Sequence, residues 1–81
     1  MLKIRLNRAE YDTIEEQYRI TYTIKGVNIK FTANFTPNNT DMFDLSEIFD
    51  FLSKLHKVDK EDLQVIYKNY CFQNNKCIKL Y

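Results

Sequence analysis

At 81 residues, with 44% apolar and 28% charged side chains, the chain is long enough for one modest core and too short for two, and its composition excludes a disordered tail. A net charge of +1 excludes a strong overall pull toward nucleic acid or acidic membrane and leaves local patches as the electrostatic handles. No apolar run approaches the roughly 20 residues of a membrane span, so no membrane partner is expected.

One compact domain over 1–81 is expected, located in the cytoplasm, because Met1 to Leu6 alternates charged and apolar residues and has no signal-peptide core. Leu2, Ile4 and Leu6 point one way and Lys3 and Arg5 the other, which predicts a short half-buried strand over 2–6. Asn7 to Gln17 is ambiguous. Asn7 offers a cap for a short helix with Tyr11, Ile14 and Tyr18 on one face, yet Ile14 to Gln17 could extend the next strand; a helical turn or loop over 8–13, then strand, is expected.

Tyr18 to Phe35 reads as a long β-hairpin. Tyr18, Ile20, Tyr22 and Ile24 alternate with polar residues, and so do Val27, Ile29, Phe31, Ala33 and Phe35 beyond the single glycine. With Lys25-Gly26 as a two-residue turn, Ile24 faces Val27, Tyr22 faces Ile29, Ile20 faces Phe31 and Tyr18 faces Ala33, so apolar meets apolar throughout. That register places a φ above zero on Lys25, which is disfavoured for lysine.

Thr36 to Thr40 is turn chemistry, with Pro37 ending the ladder by removing a donor. Asp44-Leu45-Ser46-Glu47 has capping-box spacing, and Leu45, Ile48, Phe49, Leu52 and Leu55 form the apolar stripe of a helix. A second helix is expected to start at Asp59, with Val58 stapled to Leu63 and a stripe of Leu63, Ile66, Tyr67 and Tyr70. Residues 77–81 read as a last strand. If Asn74-Asn75 turns the chain, Phe72 rather than Cys71 faces Cys77, so both cysteines are expected as reduced thiols.

The elements assemble into an α+β fold: a small antiparallel or mixed sheet around a central hairpin, packed on one face by two amphipathic helices. Its core places Ile20, Tyr22, Ile29 and Phe31 beneath Phe49 and Leu52, at about 2 kcal/mol per buried side chain.

Catalytic vocabulary is sparse. A single glycine rules out the glycine-rich phosphate loops, and His56 with Cys71 and Cys77 falls short of the four ligands of a structural zinc site. Nothing in the spacing brings His56 to either thiol as a base to a nucleophile. No enzyme activity, cofactor or metal is expected. Two surfaces stand out instead. Asp41, Asp44, Glu47 and Asp50 descend in three-residue steps as an acidic ridge suited to a basic groove on a partner protein. Lys3, Arg5, Arg19 and Lys30 fall on the wet face of the sheet, a basic surface for single-stranded nucleic acid that lacks stacking aromatics except Tyr81.

The leading expectation is a small non-catalytic module that binds another protein. The dominance of Lys, Asn, Ile, Tyr and Phe over Gly, Ala, Pro and Arg suggests AT-rich coding DNA. Together with the small size, it sharpens that expectation to a phage or mobile-element inhibitor of a host defence enzyme, such as one that handles nucleic acid. Direct nucleic-acid binding by the basic face ranks second, and a homodimer joined through a sheet edge ranks lower.

Overall fold

The computed structural model describes residues 1–38 and 43–80. Its first strand, β1 (Leu2–Asp12), runs well past the expected end at Leu6. Alternation breaks at Asn7 because a β-bulge sits there: Leu6 lies opposite Tyr22 and Arg8 opposite Thr21, leaving Asn7 as the extra residue. The insertion reverses the parity of the strand, so Ala9 and Tyr11 follow Ile4 and Leu6 onto the core side. The helical turn over 8–13 is therefore not formed. The chain reverses instead over Thr13 to Glu16, where Asp12 Oδ1 accepts the N–H groups of Ile14 (2.9 Å) and Glu15 (3.2 Å) and Glu16 takes a φ of 54°.

β2 (Gln17–Ile24) and β3 (Lys30–Phe35) form the expected hairpin in a different register. Lys25 and Gly26 do occupy the centre of a turn, closed by Val27 N–H donating to Ile24 O at 3.0 Å. The positive φ falls on Gly26 (89°) and not on Lys25. A turn with that twist splays the flanking strands, so pairing resumes only at Thr23 and Lys30. Tyr22 then meets Phe31, Ile20 meets Ala33 and Tyr18 meets Phe35. The slip from the expected pairs is an even number of residues, which keeps the same face inward. Its consequence is that Val27 (41% exposed) and Ile29 (59%) lie in the loop and outside the core.

Helix α1 (Leu45–His56) begins as expected at Asp44, whose Oδ1 accepts the Ser46 N–H at 2.9 Å. Leu45, Ile48, Phe49 and Leu52 are buried, whereas Leu55 is exposed and Phe51 packs against Phe35 with ring centroids 5.2 Å apart. Lys57 ends the helix in the left-handed region (φ 54°), with Lys57 N–H bonded to Lys54 O and Val58 N–H to Ser53 O.

The second helix is absent. Lys60–Asp62 makes a single tight turn, and the chain continues as β4 (Leu63–Tyr67), β5 (Tyr70–Gln73) and β6 (Lys76–Lys79). Leu63, Val65 and Tyr67 satisfy a strand period as well as Leu63, Ile66, Tyr67 and Tyr70 satisfy a helical one. Val65, Ile66 and Tyr67 also favour the pleated conformation. The deciding contact is long-range. β1 presents a second edge, and β4 pairs with it in parallel, Ile4 opposite Val65 and Leu6 opposite Tyr67. Positive φ at Lys68 (53°), Asn74 (55°) and Asn75 (60°) turns the two hairpins that follow. Phe72 lies opposite Cys77, as the Asn74-Asn75 turn requires.

The described residues form an α+β fold with a six-stranded mixed sheet in the order β3-β2-β1-β4-β5-β6 and one α-helix. The centre of the sheet is the β1–β4 pair and not the hairpin, and residues 76–79 form one edge. α1 covers one face, where Ile48, Phe49 and Leu52 close over Ile4, Ile20, Tyr22, Leu63 and Val65. No described element covers the opposite face.

Candidate functional site

The residues with the most chemical potential are far apart. His56 lies over β2 and β3, its Nε2 2.7 Å from the Tyr22 hydroxyl and its ring edge-on to Tyr22 and Phe31. Cys71 and Cys77 are free thiols on β5 and β6, with β1 and β4 between them and Tyr22. At about 4.8 Å per strand, β5 lies about 14 Å from β2, beyond the reach of a base acting on a thiol. Burial pushes the Cys71 thiol above its ordinary value, the direction opposite to that of an activated nucleophile. Among the described residues no group of three or more His, Cys, Asp and Glu side chains could hold a metal ion.

The Tyr22–His56 pair has a structural consequence. Burial raises the Tyr22 phenol above its ordinary 10.0. A phenol that ionises later in the folded chain than in the unfolded one contributes stability that is complete below about pH 10 and lost as pH rises through the folded value. Tyr22→Phe is therefore expected to cost about 1 kcal/mol at neutral pH through the lost hydrogen bond. Its melting temperature should also decline less steeply than that of the wild type above pH 10. Parallel alkaline melting curves for the two chains would refute the assignment.

The expected acidic ridge is largely occupied by the fold. Asp44 caps α1 and accepts the Ser46 hydroxyl at 2.6 Å. Glu47 accepts the Asn38 N–H at 3.0 Å, tying the loop after β3 to the helix, and Asp50 pairs with Lys60 at 3.0 Å. Asp41 lies outside the described residues, as do Asn39, Thr40 and Tyr81. Replacing Asp44 would thus remove a cap worth about 1 kcal/mol along with any contact to a partner.

The four basic residues share one face of the sheet, with Arg19 set apart beside Glu10. Arg5 lies opposite Thr23, Thr23 opposite Lys30, and Arg19 opposite Glu10 and Asn34, all on the uncovered face with Lys3. Lys3, Arg5, Thr23, Lys25, Gln64 and Ile66 line a shallow groove of about 440 Å³ there. The pairing pattern sends the strand aromatics to the other side, where they make ring contacts with one another and with α1. The basic face offers phosphate-binding charge without a stacking platform.

A third surface was not legible as such, because it depends on the strands that replace the second helix. On the α1 side, beyond the helix, Phe43, Leu45, Tyr67, Tyr70, Phe72 and Cys77 line an open, mainly apolar groove of about 380 Å³. It runs out to β6, whose side chains are all exposed. Among the described residues nothing pairs with the backbone of β6 on its outer side. Leu80 N–H donates to Asn69 O at 2.6 Å, and alternation from that bond makes Cys71–Ile78 and Gln73–Lys76 the hydrogen-bonded pairs. Cys77 and Lys79 consequently direct their N–H and C=O groups away from β5. Apolar side chains at 67 and 70, read as one stripe of a helix, mark this groove in the sequence. No protein-family model matches the chain, and neither a curated protein nor a solved structure does.

Proposed function

We propose that the chain is a small, non-catalytic protein-binding module that engages its partner through the apolar groove beside β6. The observation that carries this reading is the groove itself: Phe43, Tyr67, Tyr70 and Phe72 together leave apolar surface open next to an unpaired sheet edge. Phe43 and Tyr70 are exposed at its rim, Tyr67 is half-buried and Phe72 is buried beneath them, and aromatic side chains at such a pocket are the usual anchors of a protein interface. The separation of His56 from both thiols favours binding over catalysis. AT-rich coding bias and small size favour, within this reading, an inhibitor from a phage or mobile element that blocks a host defence enzyme by occupying it.

Immobilised chain incubated with nuclease-treated lysate of a low-GC bacterium should retain one stoichiometric protein. Tyr70→Lys, at a side chain 43% exposed in the groove, should abolish retention and leave the melting temperature nearly unchanged. A partner lost on nuclease treatment, or one retained by Tyr70→Lys, would overturn the groove as the contact.

A second reading follows from Lys3, Arg5, Arg19 and Lys30 sharing the uncovered face. The uncovered face would bind single-stranded nucleic acid through its phosphates, with affinity falling steeply with salt. Arg5→Glu with Lys30→Glu separates the two readings, since it removes oligonucleotide binding and spares the groove.

A further inference from the structure

Resting on the protein-binding reading, we infer that β6 takes its partner as an added antiparallel strand whose paired segment reads acid–apolar–apolar–acid. Three features converge on this edge. Cys77 and Lys79 present outward backbone groups that no described residue pairs, as strand addition requires. The strand carries no bulge or proline; its guard against pairing is the charge of Lys76 and of Lys79, which lies on the α1 side opposite Tyr70. Neither makes an ion pair among the described residues, so the edge repels a basic strand and admits an acidic one. Its sequence, Lys76-Cys77-Ile78-Lys79, is basic–apolar–apolar–basic.

Residues directly opposite one another in an antiparallel pair lie on the same face and interact. A partner residue opposite Cys77 enters the apolar groove, because Cys77 shares the α1 side with Phe72 and Tyr70. The residue opposite Ile78, which is 52% exposed on the uncovered face, completes an apolar contact there. Opposite Lys76 and Lys79, carboxylates satisfy the two unpaired ammonium groups. Charge also argues against a second copy of this chain, since pairing β6 with itself gathers four lysines along one short seam.

The other edge is less suited. The groove beside β3, lined by Phe35, Thr36, Asn38, Glu47, Asp50, Phe51 and Lys54, is more polar, and Glu47 and Asp50 are already engaged there.

The probe is a blocked, fluorophore-labelled peptide, Thr-Ser-Glu-Val-Leu-Glu-Ser-Thr, titrated with the chain and followed by anisotropy. Saturable binding is expected, at least about tenfold weaker when both glutamates are replaced by lysine. Lys76→Glu with Lys79→Glu should reverse that preference. Cys77→Pro removes an outward N–H without touching the β5–β6 bonds and should abolish binding. The peptide N-methylated at its leucine, titrated against the wild-type chain, makes the same test without altering the fold.

Absence of saturable binding, equal affinity for the lysine peptide, or indifference to N-methylation would overturn the inference. So would concentration-dependent dimerisation abolished by Cys77→Pro, which would assign the edge to a second copy. The protein-binding reading fails separately. A nuclease-resistant partner lost with Tyr70→Lys but kept by Cys77→Pro preserves the module and discards strand addition.

Discussion

Phe49→Ala is expected to cost about 4 kcal/mol and to lower the denaturation midpoint by a third or more. Phe49 is fully buried, and its ring centroid lies 4.8 Å from that of Phe72. It is thus the point at which α1 reaches the β4–β5 end of the sheet. A chain of this length has a total stability of roughly 4–12 kcal/mol, so the loss is a third or more of what is available. The site has little means of collapsing, because α1 is the one described element on that face. Urea denaturation followed by circular dichroism measures the effect. A midpoint close to the wild type would mean that α1 does not dock as described.

The second large effect distinguishes strand from helix over residues 63–67. Val65→Asp should unfold the chain, at a cost of at least about 4 kcal/mol, because Val65 is fully buried and an aspartate there has no cationic partner. Ile66→Asp should cost far less, about 1 kcal/mol, because Ile66 faces the uncovered side next to Arg5. A helix carrying the stripe Leu63, Ile66, Tyr67 and Tyr70 would reverse the order, with Ile66 inside and Val65 in water. Melting temperatures of the two variants decide between the geometries. Equal destabilisation would contradict the strand assignment.

These variants probe the fold and say little about the partner. Tyr70→Lys and Cys77→Pro do the reverse, since both positions lie at the rim of the sheet where few packing contacts depend on them. The separation matters because the acidic positions first marked for binding, Asp44, Glu47 and Asp50, serve the helix, a loop and an ion pair. Changes there confound stability with recognition.

Features that depend on neighbours along the chain are legible in the residues themselves. Asp44 caps α1 because a carboxylate two residues ahead of an orphan N–H satisfies it locally. Alternation over Tyr18 to Ile24 placed the right side chains inward, and Asn74-Asn75 made the final turn, because parity and φ preference are local properties. The basic quartet shares a face for the same reason of parity.

What depends on partners distant in sequence emerges only when the chain folds. The bulge at Asn7 carries β1 past a break in its own pattern so that Tyr11 can meet Tyr18 at 5.1 Å. Twist at the Lys25-Gly26 turn moved the hairpin register by an even step that periodicity cannot detect. The choice of strand over helix for residues 63–67 rested on β1 offering a free edge, whose ladder of backbone bonds outweighs a short helical stripe. The candidate docking groove exists because of that choice: β6 reads as a strand from its own residues, whereas the apolar side chains at 67 and 70 become one wall of a groove only once β4 and β5 replace the helix.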